Sequence, residues 1–195
     1  MLRTLLLSAL VVTSARAATG IVEGTLEFGK GPFVVYVDEI PGATFPAQAP
    51  APVLGQKHNT YVPHILPIVV GSQVELRSSD PELHNVYAWA LALQKALFNI
   101  AILPGAPSQS KRFNKTGVVR ITCNVHKEML AYILVLQNPH FALVDRGTST
   151  FRLVGVPAGK YQLRVWGEKL GDDLLGRRFP VEVSAGQTIH AALTQ

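Results

Sequence analysis

In segment after segment of this chain the hydrophobic residues recur with a period of two, which is the period of a strand with one buried face. Val74 and Leu76 alternate with Gln73, Glu75 and Arg77. Val119, Ile121 and Cys123 alternate with Val118, Arg120 and Thr122. The same reading holds for Tyr161, Leu163 and Val165, and for Phe179, Val181 and Val183. Leu130 to Leu136 is apolar throughout, which predicts a central strand covered on both faces. Gly71-Ser72, Pro104-Gly105, Lys115-Thr116-Gly117 and Pro157-Ala158-Gly159 punctuate these runs as turns. Short strands separated by turns predict an all-β chain built from β-sandwiches. With 48% hydrophobic and only 16% charged residues, such a chain can bury a core. One segment departs from the pattern: Ala88 to Phe98 is rich in Ala and Leu and is expected to hold a short helix.

The first 17 residues read as an address. Arg3 supplies a positive start, Leu5 to Val12 a short apolar core, and Ala15-Arg16-Ala17 a small-residue cleavage site. Cleavage after Ala17 implies a periplasmic or secreted protein. It also removes Arg3 and Arg16, so a formal net charge of +5 becomes +3. No block of Lys and Arg remains, so nucleic acid is not an expected partner. The apolar core of the leader is too short to span a bilayer, so no membrane span is expected. Residues 18–137 are read as a first domain, with the Ala- and Pro-rich stretch 44–52 as an exposed loop or linker. Residues 138–195 form a second, small sandwich, and 18–40 either begin the first domain or complete the second.

Sulfur is scarce. Cys123 is the only cysteine, and Met129 is the only methionine besides Met1, so a disulfide within the chain is excluded. Cys123, His126 and Met129 form a C-x2-H-x2-M run between two strand-like segments, and His84 lies at the end of another strand. Two imidazoles, one thiolate and one thioether match a trigonal copper site with a weak axial Met. Soft sulfur suits Cu(I), imidazole suits Cu(II), and a carrier must hold both with little rearrangement. Each residue alone is more often structural than functional. The coincidence of the sole cysteine and the sole internal methionine around one His favours a site. Zinc takes Cys and His but rarely Met. Cys-His nucleophilic catalysis lacks an accompanying oxyanion motif.

His84-Asn85-Val86 together with Cys123-x2-His126-x2-Met129 resembles the cupredoxins, the plastocyanin, azurin and amicyanin group of blue copper proteins. The short loop looks most like amicyanin. Tyr61-Val62-Pro63-His64, Val70-Gly71-Ser72, Ser79-Asp80 and Gly117-Val118-Val119 are similar to plastocyanin-like proteins associated with methylamine utilisation. In those, a cupredoxin domain is joined to a carboxypeptidase-regulatory or transthyretin-like sandwich. Phe151-Arg152-Leu153-Val154 and Val156-Pro157-Ala158-Gly159-Lys160-Tyr161 look like that second part. The resemblance implies a Greek-key cupredoxin sandwich plus a second small β-sandwich. It implies one type 1 copper held by His84, Cys123 and His126, with Met129 axial. Asn85 would tie the ligand loops together, and His126 with Lys127 would form the electron port and its docking rim. Two positions depart from the pattern: Lys127 stands where relatives often have Pro, and Gly167 where they often have His.

The expected function is an extracytoplasmic blue copper protein that passes single electrons between redox proteins and does no bond chemistry. The alternatives are a copper chaperone or store, and a glycan- or protein-binding module with a vestigial metal site. His58, His64, His140 and His190 are read as structural or surface residues, with His64 the one to watch.

Overall fold

The computed structural model describes residues 18–28, 31–145 and 147–194; the leader expected at 1–17 lies outside them. The strands are β1 (Thr19–Leu26), β2 (Phe33–Val37), β3 (Val53–Lys57), β4 (Thr60–Val62), β5 (Ile65–Val69) and β6 (Gln73–Ser78). They continue with β7 (His84–Ala90), β8 (Lys95–Ile102), β9 (Gln109–Arg112), β10 (Gly117–Thr122) and β11 (Leu130–Leu136). The last are β12 (Phe141–Val144), β13 (Thr150–Pro157), β14 (Gly159–Trp166), β15 (Phe179–Val183) and β16 (Thr188–Leu193). A single short helix, α1 (Asp172–Gly176), precedes β15 among the described residues.

The chain is all-β, as the period-two pattern predicts, and it forms two sandwiches. In the first, a five-stranded sheet ordered β5-β11-β10-β7-β8 faces a four-stranded sheet ordered β4-β3-β6-β9. Val74 and Leu76 of β6 meet Val119 and Ile121 of β10 and Ile133 of β11 in one buried cluster, which also holds Cys123 and Met129. The alternation assigned the inward faces of β6 and β10 to the right residues. The turn between β5 and β6 needs a backbone that only glycine adopts freely: Gly71 has φ 87°.

The second sandwich pairs a three-stranded sheet, β13-β1-β16, with a four-stranded sheet, β12-β2-β14-β15. β1 and β2 therefore belong with the C-terminal strands. Counting 18–40 with the first domain gives way to the alternative that they complete the second. The physical reason is edge pairing. β1 is hydrogen-bonded on both sides, antiparallel to β13 and parallel to β16, and β2 lies between β12 and β14. A piece too small to bury its own core gains Val22, Leu26, Phe33, Val35 and Val37 from the N-terminal strands.

The helix expected within Ala88–Phe98 is absent. β7 and β8 form a hairpin there, turning through Leu91–Gln94, with Gln94 at φ 48°. Helix propensity is a weak prior, and here cross-strand pairing overrides it. α1, by contrast, had no sequence signal: it is five residues long and buries only Leu174.

The run Leu130–Leu136 is covered on both faces. Ile133 and Val135 point into the first core, while Leu134 and Leu136 join Val34 and Ile65 in a separate cluster flanked by Tyr36, Tyr132 and Trp166. This apolar seam joins the two sandwiches. His64 crosses it: Nε2 lies 2.7 Å from Glu168 Oε2 and Nδ1 lies 3.0 Å from the Leu130 carbonyl. At Gly167 a Cβ would stand 2.5 Å from the Phe33 ring, so a side chain there conflicts with Phe33 packing.

His140, between β11 and β12, is buried and rests edge-on against Phe45. Burial holds its ring below the ordinary value of 6.5, against a smaller upward pull from the Val154 carbonyl. The neutral ring is therefore favoured in the folded chain, while the unfolded chain takes up a proton at the ordinary value. Stability should fall as the pH drops below about 6.5. Melting temperature against pH checks this, and His140→Gln should show a shallower slope on the acid side.

Candidate metal centre

The strand register brings the site together. β7 begins at His84, and β10 ends at Thr122, one residue before Cys123. β7 and β10 are antiparallel neighbours with Thr122 opposite Tyr87, so His84 and Cys123 emerge at the same end of the sheet. The chain returns into β11 at Leu130, which pairs with Thr122. The seven-residue span from Cys123 to Met129 is thereby clamped at both ends. Within it the Met129 N–H donates to the His126 carbonyl at 3.1 Å, a tight turn that directs His126 back over the site.

His84, Cys123 and His126 each offer a ligand atom, and these atoms lie within 4.8 Å of one another. His84 is fully buried, and Cys123 and Met129 are buried with it. The His126 side chain keeps 19% of its surface exposed. Met129 shares the cluster that contains Cys123. Lys127 and Glu128 are exposed on the loop.

The polar frame around these residues is specific. Asn85 Oδ1 accepts the backbone N–H of Asn124 at 2.5 Å, and Asn85 Nδ2 donates to Asn99 Oδ1 at 2.7 Å. Asn85 thus links the His84 strand to the Cys123 loop. The Tyr61 hydroxyl donates to the Asn85 carbonyl at 2.6 Å and lies 3.1 Å from the Thr122 carbonyl, spanning the two ligand-bearing strands from the opposite sheet. Burial, with the nearby charge of Cys123, pushes the Tyr61 hydroxyl far upward, so it stays a donor.

Two carboxylates complete the frame, and ligand-spacing motifs do not reveal them. Asp80 Oδ2 lies 3.0 Å from His84 Nε2, and Glu82 Oε2 lies 3.1 Å from His126 Nε2. Burial alone would raise the Asp80 carboxyl, but the N–H groups of Asn59 and His58 and the His84 ring outweigh it and hold it below the usual range. Asp80 was visible in the sequence as a carboxylate four residues before His84. Its partners were not, because His58 and Asn59 reach it from the β3–β4 turn.

This frame tests whether the residues fit a metal. Asp80 is hydrogen-bonded to His84 Nε2 and Glu82 lies at ion-pair distance from His126 Nε2, an arrangement that favours the tautomers protonated at Nε2, with Nδ1 as the bare lone pair. The two Nδ1 atoms then face each other at 3.1 Å. In those tautomers two lone pairs converge at that distance, a repulsion that a metal ion or a shared proton against both removes, and the Cys123 sulfur supplies a third donor. The donor set fits a soft-to-borderline ion. Asp80→Asn keeps the shape but not the charge, and it should weaken copper binding by about 10- to 100-fold. Competition with a chelator of known affinity measures this.

No described helix is long and apolar enough to cross a membrane. No protein-family model matches the chain, and no curated protein does. Among solved structures, a reduced tryptophan-to-tyrosine variant of amicyanin overlays 45% of this chain and 84% of its own, at 24% identity and a TM-score of 0.40. A reduced proline-to-phenylalanine variant of amicyanin covers 52% and 97%, at 21% identity and 0.40. A purple cupredoxin from Nitrosopumilus maritimus covers 43% and 95%, at 23% identity and 0.36. The chain is an all-β protein with a largely buried His-Cys-His cluster at one end of its first sandwich, and over about half its length it is similar to amicyanin and to a purple cupredoxin.

Proposed function

We propose that this chain is an extracytoplasmic type 1 copper protein that passes single electrons between protein redox partners. One observation carries the reading: two imidazole Nδ1 atoms held 3.1 Å apart by carboxylates on their far sides, beside the only cysteine of the chain. His84, Cys123 and His126 would hold the ion, with Met129 as a weak fourth contact. When bound, copper supplies a one-electron couple. The chain's own residues do the rest. Asp80 and Glu82 orient the rings, Asn85 and Tyr61 fix the separation of the ligand strands, and the buried cluster excludes water. Such rigidity keeps ligand positions similar in both oxidation states, which is what fast exchange requires.

His126 is the only one of the three with substantial exposure, which makes it the exit for an electron. Around it Leu83 is 44%, Val125 51% and Leu103 57% exposed. Exposed apolar residues grouped at one end favour brief docking of a protein surface. Lys127, on the rim, adds charge to partner choice.

The test is reversible one-electron oxidation and reduction with rapid self-exchange. Copper that leaves to an acceptor on reduction, instead of cycling in place, would overturn the carrier reading.

A further inference from the structure

The strands that carry the ligands at one end frame a cleft at the other. β7 runs from His84 to Ala90, and β10 runs from Gly117 toward Cys123. At about 3.4 Å per residue the far end of β10 lies roughly 20 Å from Cys123. There a cleft of about 300 Å³ opens between the β7–β8 hairpin and the segment Phe113–Val119. Ala90, Leu97, Phe98, Phe113 and Val119 give it an apolar wall. Leu93 and Leu97 are 44% and 40% exposed.

The rim is cationic. Lys95, Arg112 and Lys115 line the cleft, and Lys111 Nζ lies 5.7 Å above the Phe98 ring. From Leu83 through Lys127 the sequence contains six Lys and Arg and not one Asp or Glu. All thirteen carboxylates of the chain lie outside this stretch. Among the described residues none of the four rim cations has a carboxylate at ion-pair distance. Elsewhere the chain does pair its basic residues: Arg77, Arg152, Lys160, Arg164 and Arg178 each have an acidic neighbour.

An apolar cavity ringed by cations that have no carboxylate at ion-pair distance is complementary to a molecule with an apolar body and a negative head. We propose that this cleft binds a single-chain amphiphilic anion. Its apolar tail lies against Leu97, Phe98 and Phe113, and its carboxylate or other anionic head is held by Lys95 and Lys115. The volume is at the low end for ligand sites, which limits the occupant to one chain. The site is separate from the His-Cys-His cluster and does not depend on it.

Calorimetric titration of the full chain with dodecanoate, below its micelle concentration, tests the proposal without reference to copper. The expected result is one saturable site per chain, weakened at least tenfold in Lys95→Gln/Lys115→Gln and weakened further by added salt. Dodecan-1-ol, which lacks the charge, should bind at least tenfold less tightly than dodecanoate. Arg120→Gln, an exposed change outside the cleft, should leave the affinity unchanged. Absence of saturable binding, or equal binding by the double variant, would overturn the proposal. So would sedimentation with phosphatidylglycerol vesicles in the absence of dodecanoate binding, which would assign the patch to a bilayer surface.

Discussion

Cys123→Ser is expected to abolish the intense visible absorption of the copper-loaded chain. That band arises only from a thiolate bound to Cu(II), and no second cysteine exists to replace the first. The substitution is close to isosteric at a buried position, so the fold should survive it. Stability in the presence of the metal should change more. A ligand at a thousandfold excess over its dissociation constant stabilises the native state by about 4 kcal/mol. For a chain of this size that is roughly 8–16 °C in melting temperature. The wild-type chain should show a rise of this order on adding copper, and Cys123→Ser should lose most of it. Melting both chains with and without copper gives the comparison directly.

Gly24→Ala is the second large effect, and it acts on the fold with no metal involved. β1 passes so close to β16 that a Cβ at Gly24 would lie 1.7 Å from the Ala191 carbonyl oxygen. That atom is backbone in the interior of a sheet, so no side-chain rotation relieves the overlap. Either β1 or β16 must move, and β1 is also paired with β13. Overpacking of this kind costs about 3 kcal/mol or more, or roughly 6–12 °C in melting temperature. Thermal unfolding followed by circular dichroism measures it. Because Gly24 lies in the second sandwich, the metal-bound absorption of the folded fraction should keep its position and shape. A variant as stable as the wild type would mean that β1 does not thread between β13 and β16.

The two sandwiches differ in how far they could be read from the chain. Alternation located β6, β10, β14 and β15, because each buries one face and its outward residues are mostly polar. The apolar run of β11 announced burial on both faces but not what covers the second, since Val34, Tyr36 and Trp166 arrive from distant parts of the sequence. The same non-locality left 18–40 open between the two domains, because β1 and β2 pair with strands more than a hundred residues later. The error at Ala88–Phe98 has a local cause. Ala and Leu favour a helix in isolation, and only the tertiary pairing of Ala88 with Ile121 and with Phe98 selects a strand.

The donors at the candidate site were legible because sulfur is rare and the spacing short. Their support was not. Asp80 and Glu82 look like ordinary residues of an acidic turn until the rings of His84 and His126 are seen to point at them. Tyr61 stands in the sequence only within the run Tyr61-Val62-Pro63-His64, and its hydroxyl position shows that it spans the His84 and Cys123 strands. His64 also gained a job, since it reaches from the first sandwich to Glu168 of the second and to the carbonyl that follows Met129.

His84, Cys123 and His126 are expected to converge on one copper ion, with the thiolate as a strong ligand. Titration of Cu(II) into the purified full chain, followed by visible absorption, tests it most directly. The expected result is an intense blue thiolate-to-copper band that saturates at one copper per chain and bleaches reversibly on reduction. A colourless complex, or a band that survives the loss of Cys123, would contradict it.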